Sequence, residues 1–384
     1  MALDAAIVER VLNLAGEIQQ IPAPTFEEQL RAEFIHRYFS DIGVKEVSSD
    51  ETGNVYALIK GRGEKPPLVV SAHLDTVFPR NTDLTISRTL EKINGPGIGD
   101  NSLGLAGLFG LYWALMETKG GQSGLPSLPG DLWLIANVGE EGLGNLKGMK
   151  ALVDRFGDKA LAYIVLEGMS LGQIYHRGLG VRRYRISVRT KGGHSWVDFG
   201  NPSAIHELAE LVVKIKHLDF PSEPRTTFNM GVISGGTSVN TIASEASLQL
   251  DLRSVNTQAL DEITKQVEKL VDLANQKGGK AIQVEAVVIG DRPAGGISEK
   301  HPLIKLAVEC HSANGIGVKL NIGSTDANVP LSRDLPAICM GLTTGGGSHT
   351  IGEYIHIKPL AQGLGILTDL VQAVFQKGIN RYHS

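Results

Sequence analysis

The sequence predicts an α/β protein in which a mostly parallel-sheet domain is interrupted by a ferredoxin-like β-α-β-β-α-β insert. Three observations predict it. Short, β-branched apolar runs alternate with helix-like segments over the first half of the chain, the element order changes after Val181, and the first style resumes beyond the changed block.

At 384 residues the chain outgrows one hydrophobic core, since cores stop growing and chains divide beyond roughly 250 residues. Helical periodicity runs over residues 5–20 and 25–42, and a strand follows near 55–60. The run PLVVSA at 67–72 is apolar on both faces, as expected of a strand buried inside a parallel sheet. DLWLIANV at 131–138 and AYIVL at 162–166 read alike, and a helix over 103–117 lies between the first two. The glycine-rich stretch 120–130 reads as a flexible connection.

From Val181 the expected order is strand 183–190, helix 202–217, strand 227–234, strand 246–254, helix 257–277 and strand 281–289. This is the split ferredoxin-like unit, a two-layer module. A helix near 303–314 and a strand at 337–342 then return to the first style. The expected division is therefore a discontinuous domain of residues 1–180 and 294–384 around an insert of 181–293.

Composition excludes several classes of function. The hydrophobic fraction of 42% and charged fraction of 20%, with a mean hydropathy of -0.01, are those of a globular protein. No apolar run approaches the roughly 20 residues of a bilayer span. A net charge of -4 offers no basic footprint for nucleic acid or an anionic membrane, which leaves small-molecule chemistry. The opening segment, with Asp4 and Glu9 among apolar residues, lacks the basic start of a signal peptide. Cys310 and Cys339 sit in apolar stretches and read as buried thiols. A cytoplasmic location is the expectation.

Five polar segments follow or border the predicted strands of the first domain. The carboxyl ends of strands in an open α/β sheet line the ligand crevice, so residues distant in sequence can converge there. In SAHLDTV, His73 and Asp75 share a face of an extended chain, and a carboxylate can accept the hydrogen bond of an imidazole whose other nitrogen binds metal. By itself, His-x-Asp is an ordinary polar strand end. In GPGIGDNSLGLAG, Asp100 stands where a phosphate-binding loop would avoid negative charge, and the Lys and Ser/Thr of a P-loop are absent. A metal carboxylate fits, as does a helix N-cap.

In ANVGEEG, Glu140 and Glu141 adjoin at a strand end, where paired carboxylates repel unless a cation is present. One can bind metal while the other handles protons, or both can be a solvated acidic turn. Glu167 follows AYIVL directly, and His349 lies in TTGGGSHTIGE beyond the strand at 337–342. Singly these are ordinary loop residues. Together the set combines imidazole and carboxylate donors without thiolate, which suits zinc or manganese.

In order along the chain, SAHLDTV, GIGDNSLG, GEEG, the Glu167 strand end, GGHS, the inserted module and GGGSHT resemble the co-catalytic dizinc peptidase and deacylase family. That family includes glutamate carboxypeptidase, acetylornithine deacetylase, succinyl-diaminopimelate desuccinylase, aminoacylase and peptidase T. The resemblance covers nearly the whole chain. It implies two zinc ions, with cobalt or manganese as substitutes. Asp100 would bridge them, His73 and Glu167 would complete one site, and Glu141 and His349 the other. Asp75 would orient His73, and Glu140 would be the general base that deprotonates water and then protonates the leaving amine.

The resemblance further implies that the insert is a lid and dimerisation domain, making the protein a homodimer. His194 in GGHSW would donate to the oxyanion, in cis or from the partner subunit. Asn240 and Arg253 in GGTSVNTIASEASLQLDLRS would bind substrate, Arg253 by holding a carboxylate bidentately. A glutamate at position 167 resembles the family's carboxypeptidases and N-deacylases, while aspartate is usual among its aminopeptidases. The expected activity is hydrolysis of an amide bond in a small peptide or N-acyl amino acid. A di- or tripeptidase of the peptidase T kind is the alternative, and a noncatalytic binding protein retaining the fold is the contrasting class.

Overall fold

A computed structural model describes residues 4–117 and 128–379, so most of the stretch 120–130 lies outside the described residues. The chain divides into two compact units, Met1–Gly178 with Gly296–Ser384, and Leu179–Gly295.

The first unit is built on a mixed sheet. Its strands lie in the order Glu46–Ser49, Val55–Ile59, Gly130–Asn137, Lys65–His73, Tyr163–Glu167, Ala337–Gly341 and Gln173–Gly178. The central four, from Gly130–Asn137 to Ala337–Gly341, run parallel. Their apolar residues are buried on both faces, including Val69, Val70, Ile164, Val165, Ile338 and Cys339, which is why they read as continuous apolar runs. The neighbouring strands Val55–Ile59 and Gln173–Gly178 pair antiparallel with this core.

Helix Leu103–Glu117 buries Leu105, Leu108, Phe109 and Leu111 around its circumference. It is a core helix rather than an amphipathic surface one. Helices Ala5–Gln19 and Leu360–Lys377 share its apolar cluster.

The second helix starts later than the sequence pattern implies, at Gln29 rather than near Thr25. Thr25 hydrogen-bonds to Asp75, Pro24 bridges Thr76, and Phe26 takes a left-handed φ of 79°. Tertiary bonds therefore hold this segment out of the helix. Strands Gln173–Gly178 and Lys319–Gly323 and helices Lys147–Phe156 and Leu360–Lys377 were not anticipated.

The second unit carries strands Gly180–Thr190, Thr226–Gly235, Glu245–Ser254 and Ile282–Arg292 with helices Ala204–Lys216 and Thr257–Gly278. Spatially the strands run Thr226–Gly235, Glu245–Ser254, Gly180–Thr190, Ile282–Arg292, all antiparallel. This is the ferredoxin-like order that the β-α-β-β-α-β sequence pattern implies. Tyr184, Ile186 and Val188 alternate with Leu248, Leu250 and Leu252 on the buried face, against Leu208, Leu211, Ile263 and Val267 of the helices.

Candidate metal centre

Parallel strands converge their carboxyl ends, and four of the five polar segments begin there. His73 ends one strand and Glu167 another. Glu140 and Glu141 follow the strand ending at Asn137, and His349 lies beyond the strand ending at Gly341. Asp100 comes from the turn preceding helix Leu103–Glu117.

These side chains meet. His73 Nε2 lies 3.1 Å from Asp100 Oδ1 and 3.7 Å from Glu167 Oε2. His349 Nε2 lies 3.2 Å from Asp100 Oδ2 and 3.1 Å from Glu141 Oε1. The donor atoms form the groups His73–Asp100–Glu167, Asp100–Glu141–His349 and His73–Glu140–Glu141, each with its atoms within 4.8 Å of one another. Donors on a common tetrahedral zinc, at about 2.0–2.1 Å from it, stand about 3.3 Å apart. The observed spacings and the donor chemistry fit an ion in each of the first two groups, with Asp100 common to both.

The electrostatics make the same demand. Burial pushes the Glu167 carboxyl up to about 7, with Asp100 and Asp326 adding to the rise. Burial also opposes ionisation of Asp100, yet hydrogen bonds from His349 and His73 hold it below the ordinary carboxylate range. His349 rises to about 10 through its hydrogen bonds to Asp100 and Glu141. Burial would lower His73, but Asp100, Asp75 and Glu167 together raise it well above its ordinary value. Several carboxylates crowd one crevice, and positive charge on the imidazoles compensates them. A divalent cation supplies that compensation more fully.

Asp75 has a broader role than the sequence suggests. His73 Nδ1 lies 3.0 Å from the main-chain oxygen of Asp75 and 3.5 Å from its carboxylate. The carboxylate itself accepts the backbone N–H groups of Glu140 at 2.9 Å and Glu141 at 2.8 Å, and the Thr25 hydroxyl at 2.9 Å. It thus shapes the Glu140–Glu141 turn as well as facing His73.

Other supporting residues escaped the sequence reading. Glu28, buried, accepts the N–H of Gly139 at 3.0 Å. Buried Arg31 donates to Leu74 O at 2.8 Å and Ile21 O at 2.6 Å. Arg31 shares its helix face with buried Ile35 and Phe39, and a charge on an apolar stripe was the available signal. Asn101 donates to Leu166 O at 2.8 Å and accepts from Gly168 N at 2.9 Å, joining the Asp100 turn to the Glu167 strand. A Cβ at Gly168 would collide with Gly99 O, so only glycine lets these two ligand-bearing backbones touch. Glu353, four residues beyond His349, accepts backbone N–H groups of the Asp100 turn.

In the second unit His194 is exposed and pairs in register with Thr241. Its Nδ1 accepts the N–H groups of Trp196 at 3.2 Å and Val197 at 3.3 Å. The ring proton therefore sits on Nε2, as a donor. Asn240, also exposed, accepts the Ser195 N–H through its main-chain oxygen. Arg253 lies elsewhere. It pairs in register with Val181, whereas Glu245, at the other end of the same strand, pairs with Arg189 near the His194 turn. That separation is about 26 Å of extended strand. The structure does not bring Arg253 to His194, and its Nε is held by Asp251 at 2.6 Å.

Family models match two segments: residues 54–175 match "Peptidase family M28" and residues 177–279 match "Peptidase dimerisation domain". Carboxypeptidase G2 of Pseudomonas sp. (strain RS-16) is 26% identical over 88% of this chain and 82% of its own length. The uncharacterized protein YqjE of Bacillus subtilis (strain 168) is 24% identical over 95% of this chain and 98% of its own. Among solved structures, aminopeptidase PepT from Bacillus cereus ATCC 10987 shares the fold, with a TM-score of 0.78 at 24% identity over 97% of this chain and 100% of that one.

Proposed function

Because this chain belongs to the two-metal peptidase and deacylase family and is a metal-dependent amide hydrolase, we propose that it cleaves a C-terminal or N-acylated amino acid from a small substrate. One observation carries the reading. The two oxygens of Asp100 face different histidines, His73 at 3.1 Å and His349 at 3.2 Å, as a carboxylate shared by two ions must. Glu167 beside His73 and Glu141 beside His349 complete the two donor sets. Imidazole and carboxylate without thiolate favour zinc, with cobalt or manganese able to replace it.

When bound, such ions polarise the amide carbonyl and lower the pKa of water. The chain's own groups manage the protons. Glu140 lies in the crevice with only 6% of its surface exposed, its backbone fixed by Asp75. It takes a proton from the attacking water and returns it to the nitrogen of the breaking C–N bond. The His194 Nε2–H donor suits stabilisation of the oxyanion, and Asn240, on the adjoining segment that pairs with it, suits substrate binding.

Homodimerisation through the insert belongs to the same proposal. Its edge strand Thr226–Gly235 leaves Val232 and Ile233 half-exposed or more, and an unpaired apolar edge calls for a partner. A reducing cytoplasm accords with the free, buried Cys310 and Cys339. No described helix is long and apolar enough to cross a membrane.

The fold likeness to PepT keeps an aminopeptidase as the second reading. A panel of N-acetyl amino acids, dipeptides and tripeptides, assayed with zinc-, cobalt- and manganese-loaded protein, separates them. Turnover of N-acylated substrates, with any tripeptide cleaved at its C-terminal rather than its N-terminal residue, is the expected result. The opposite pattern would establish the aminopeptidase.

A further inference from the structure

We infer that Glu353 is a positioning residue of the metal centre, whose carboxylate fixes the backbone turn that aims Asp100 at both histidines. The inference rests on the two-metal reading above. It concerns a residue outside both donor sets.

Glu353 has no exposed surface. Its Oε1 accepts the N–H of Gly99 at 2.7 Å and of Asp100 at 2.8 Å, and its Oε2 accepts that of Gly97 at 3.2 Å. Its own main-chain oxygen accepts the Gly95 N–H at 2.9 Å. One residue thus gathers donors from across Gly95–Asp100. The turn includes Gly97 with φ at 75°, and backbone without regular pairing needs such partners when buried.

Burying a carboxylate is unfavourable, and Asp100 nearby adds like-charge repulsion. Desolvation raises Glu353 to about 7. Several aligned backbone dipoles offset this, as they do wherever oriented N–H groups hold an anion. A neutral side chain could fill the space without that strain, but it could not accept all three N–H groups. The arrangement is therefore specific to holding the turn.

Glu353 also belongs to the segment that carries His349. The Glu353 N–H donates to Thr350 O, and the Thr350 N–H donates to Gly347 O, enclosing His349 in one hydrogen-bonded loop. Tyr354, the next residue, pairs with Asn94 in a small antiparallel sheet. Asp100 and His349, 249 residues apart by their numbers, are consequently registered through one carboxylate. Displacing the turn would misalign Asp100 toward both His73 and His349 while leaving the His73 and Glu167 strand ends in place.

The test compares Glu353→Ala and Glu353→Gln with the wild type. Zinc affinity is measured by calorimetry, the absorption spectrum is recorded for the cobalt-loaded proteins, and unfolding is followed by circular dichroism in the metal-free proteins. Glu353→Ala should weaken binding in the two groups that share Asp100 about 10- to 100-fold, the range for outer partners of metal ligands, and alter the cobalt spectrum. Glu353→Gln keeps an oxygen for Gly99 and Asp100 and should recover most of that affinity, though not all. Wild-type affinity and an unchanged cobalt spectrum in Glu353→Ala would overturn the inference, even with a lowered unfolding temperature. Should Glu353→Ala fail to fold, the isosteric Glu353→Gln decides: affinity and spectrum both identical to wild type overturn the inference, and a weakened ion supports it. Failure of the wild type itself to bind two ions would instead refute the two-metal reading.

Discussion

Asp75 Oδ1 accepts the backbone N–H of Glu140 at 2.9 Å. The proposed base therefore stands on a turn whose shape is set by a carboxylate 65 residues earlier. Asp75→Asn turns an N–H donor toward one of these backbone donors, so the turn must shift. The expected outcome is a fall in kcat of about 10- to 100-fold with weaker binding of the Glu141 ion. Metal titration together with steady-state kinetics checks it. A variant that disturbs only the His73 ion would restrict Asp75 to orienting that imidazole.

Glu140→Gln preserves shape and removes the base. Metal content by elemental analysis should stay at two ions per chain while kcat falls by about 10²- to 10⁴-fold. Asp100→Ala should instead lose metal. Wild-type turnover by metal-replete Glu140→Gln would reassign the proton transfer to another group.

Metal binding should release protons. His349, ordinarily near 6.5, rises to about 10 beside Asp100 and Glu141, and His73 also rises well above that value. In metal-free protein this protonation contributes stability that is fully present below about 6.5 and lost as pH rises through about 10. An incoming ion must displace these protons, so its affinity weakens as pH falls. Calorimetry in buffers of differing ionisation enthalpy at neutral pH should reveal proton release. Binding enthalpies independent of buffer would contradict it.

His194→Ala should retain both ions and lose most turnover, because removing one oxyanion donor forfeits roughly 3 kcal/mol of transition-state stabilisation. Mixing His194→Ala with Glu140→Gln under subunit exchange tests whether the donor acts on the partner's site. Recovered activity in verified heterodimers is the expected result if it does, since one site then combines an intact Glu140 with an intact His194. Absence of recovery assigns His194 to its own chain.

Much of this molecule was legible along the sequence because local chemistry repeats itself there. Apolar runs marked the parallel strands, the change of pattern near Val181 marked the ferredoxin-like unit, and polar residues just beyond strand ends marked His73, Glu140, Glu141, Glu167 and His349. Strand direction makes such residues converge wherever the sheet is parallel, so position along the chain carries information about space. Arg253 stands apart from that convergence: strand length carries it to the end of Glu245–Ser254 away from the His194 turn, where Asp251 holds its Nε. The partners of Thr25, Glu28, Arg31, Asn101 and Glu353 were not legible. Each acts by pairing with backbone N–H or C=O groups, or with a carboxylate, of a distant segment. A backbone group has the same chemistry at every residue and leaves no mark in the sequence to identify its partner. The residue types of the candidate metal centre were thus written into the chain, whereas the bonds that hold Asp100 and Glu140 in place were decided only when folding chose which buried carboxylate would meet which turn.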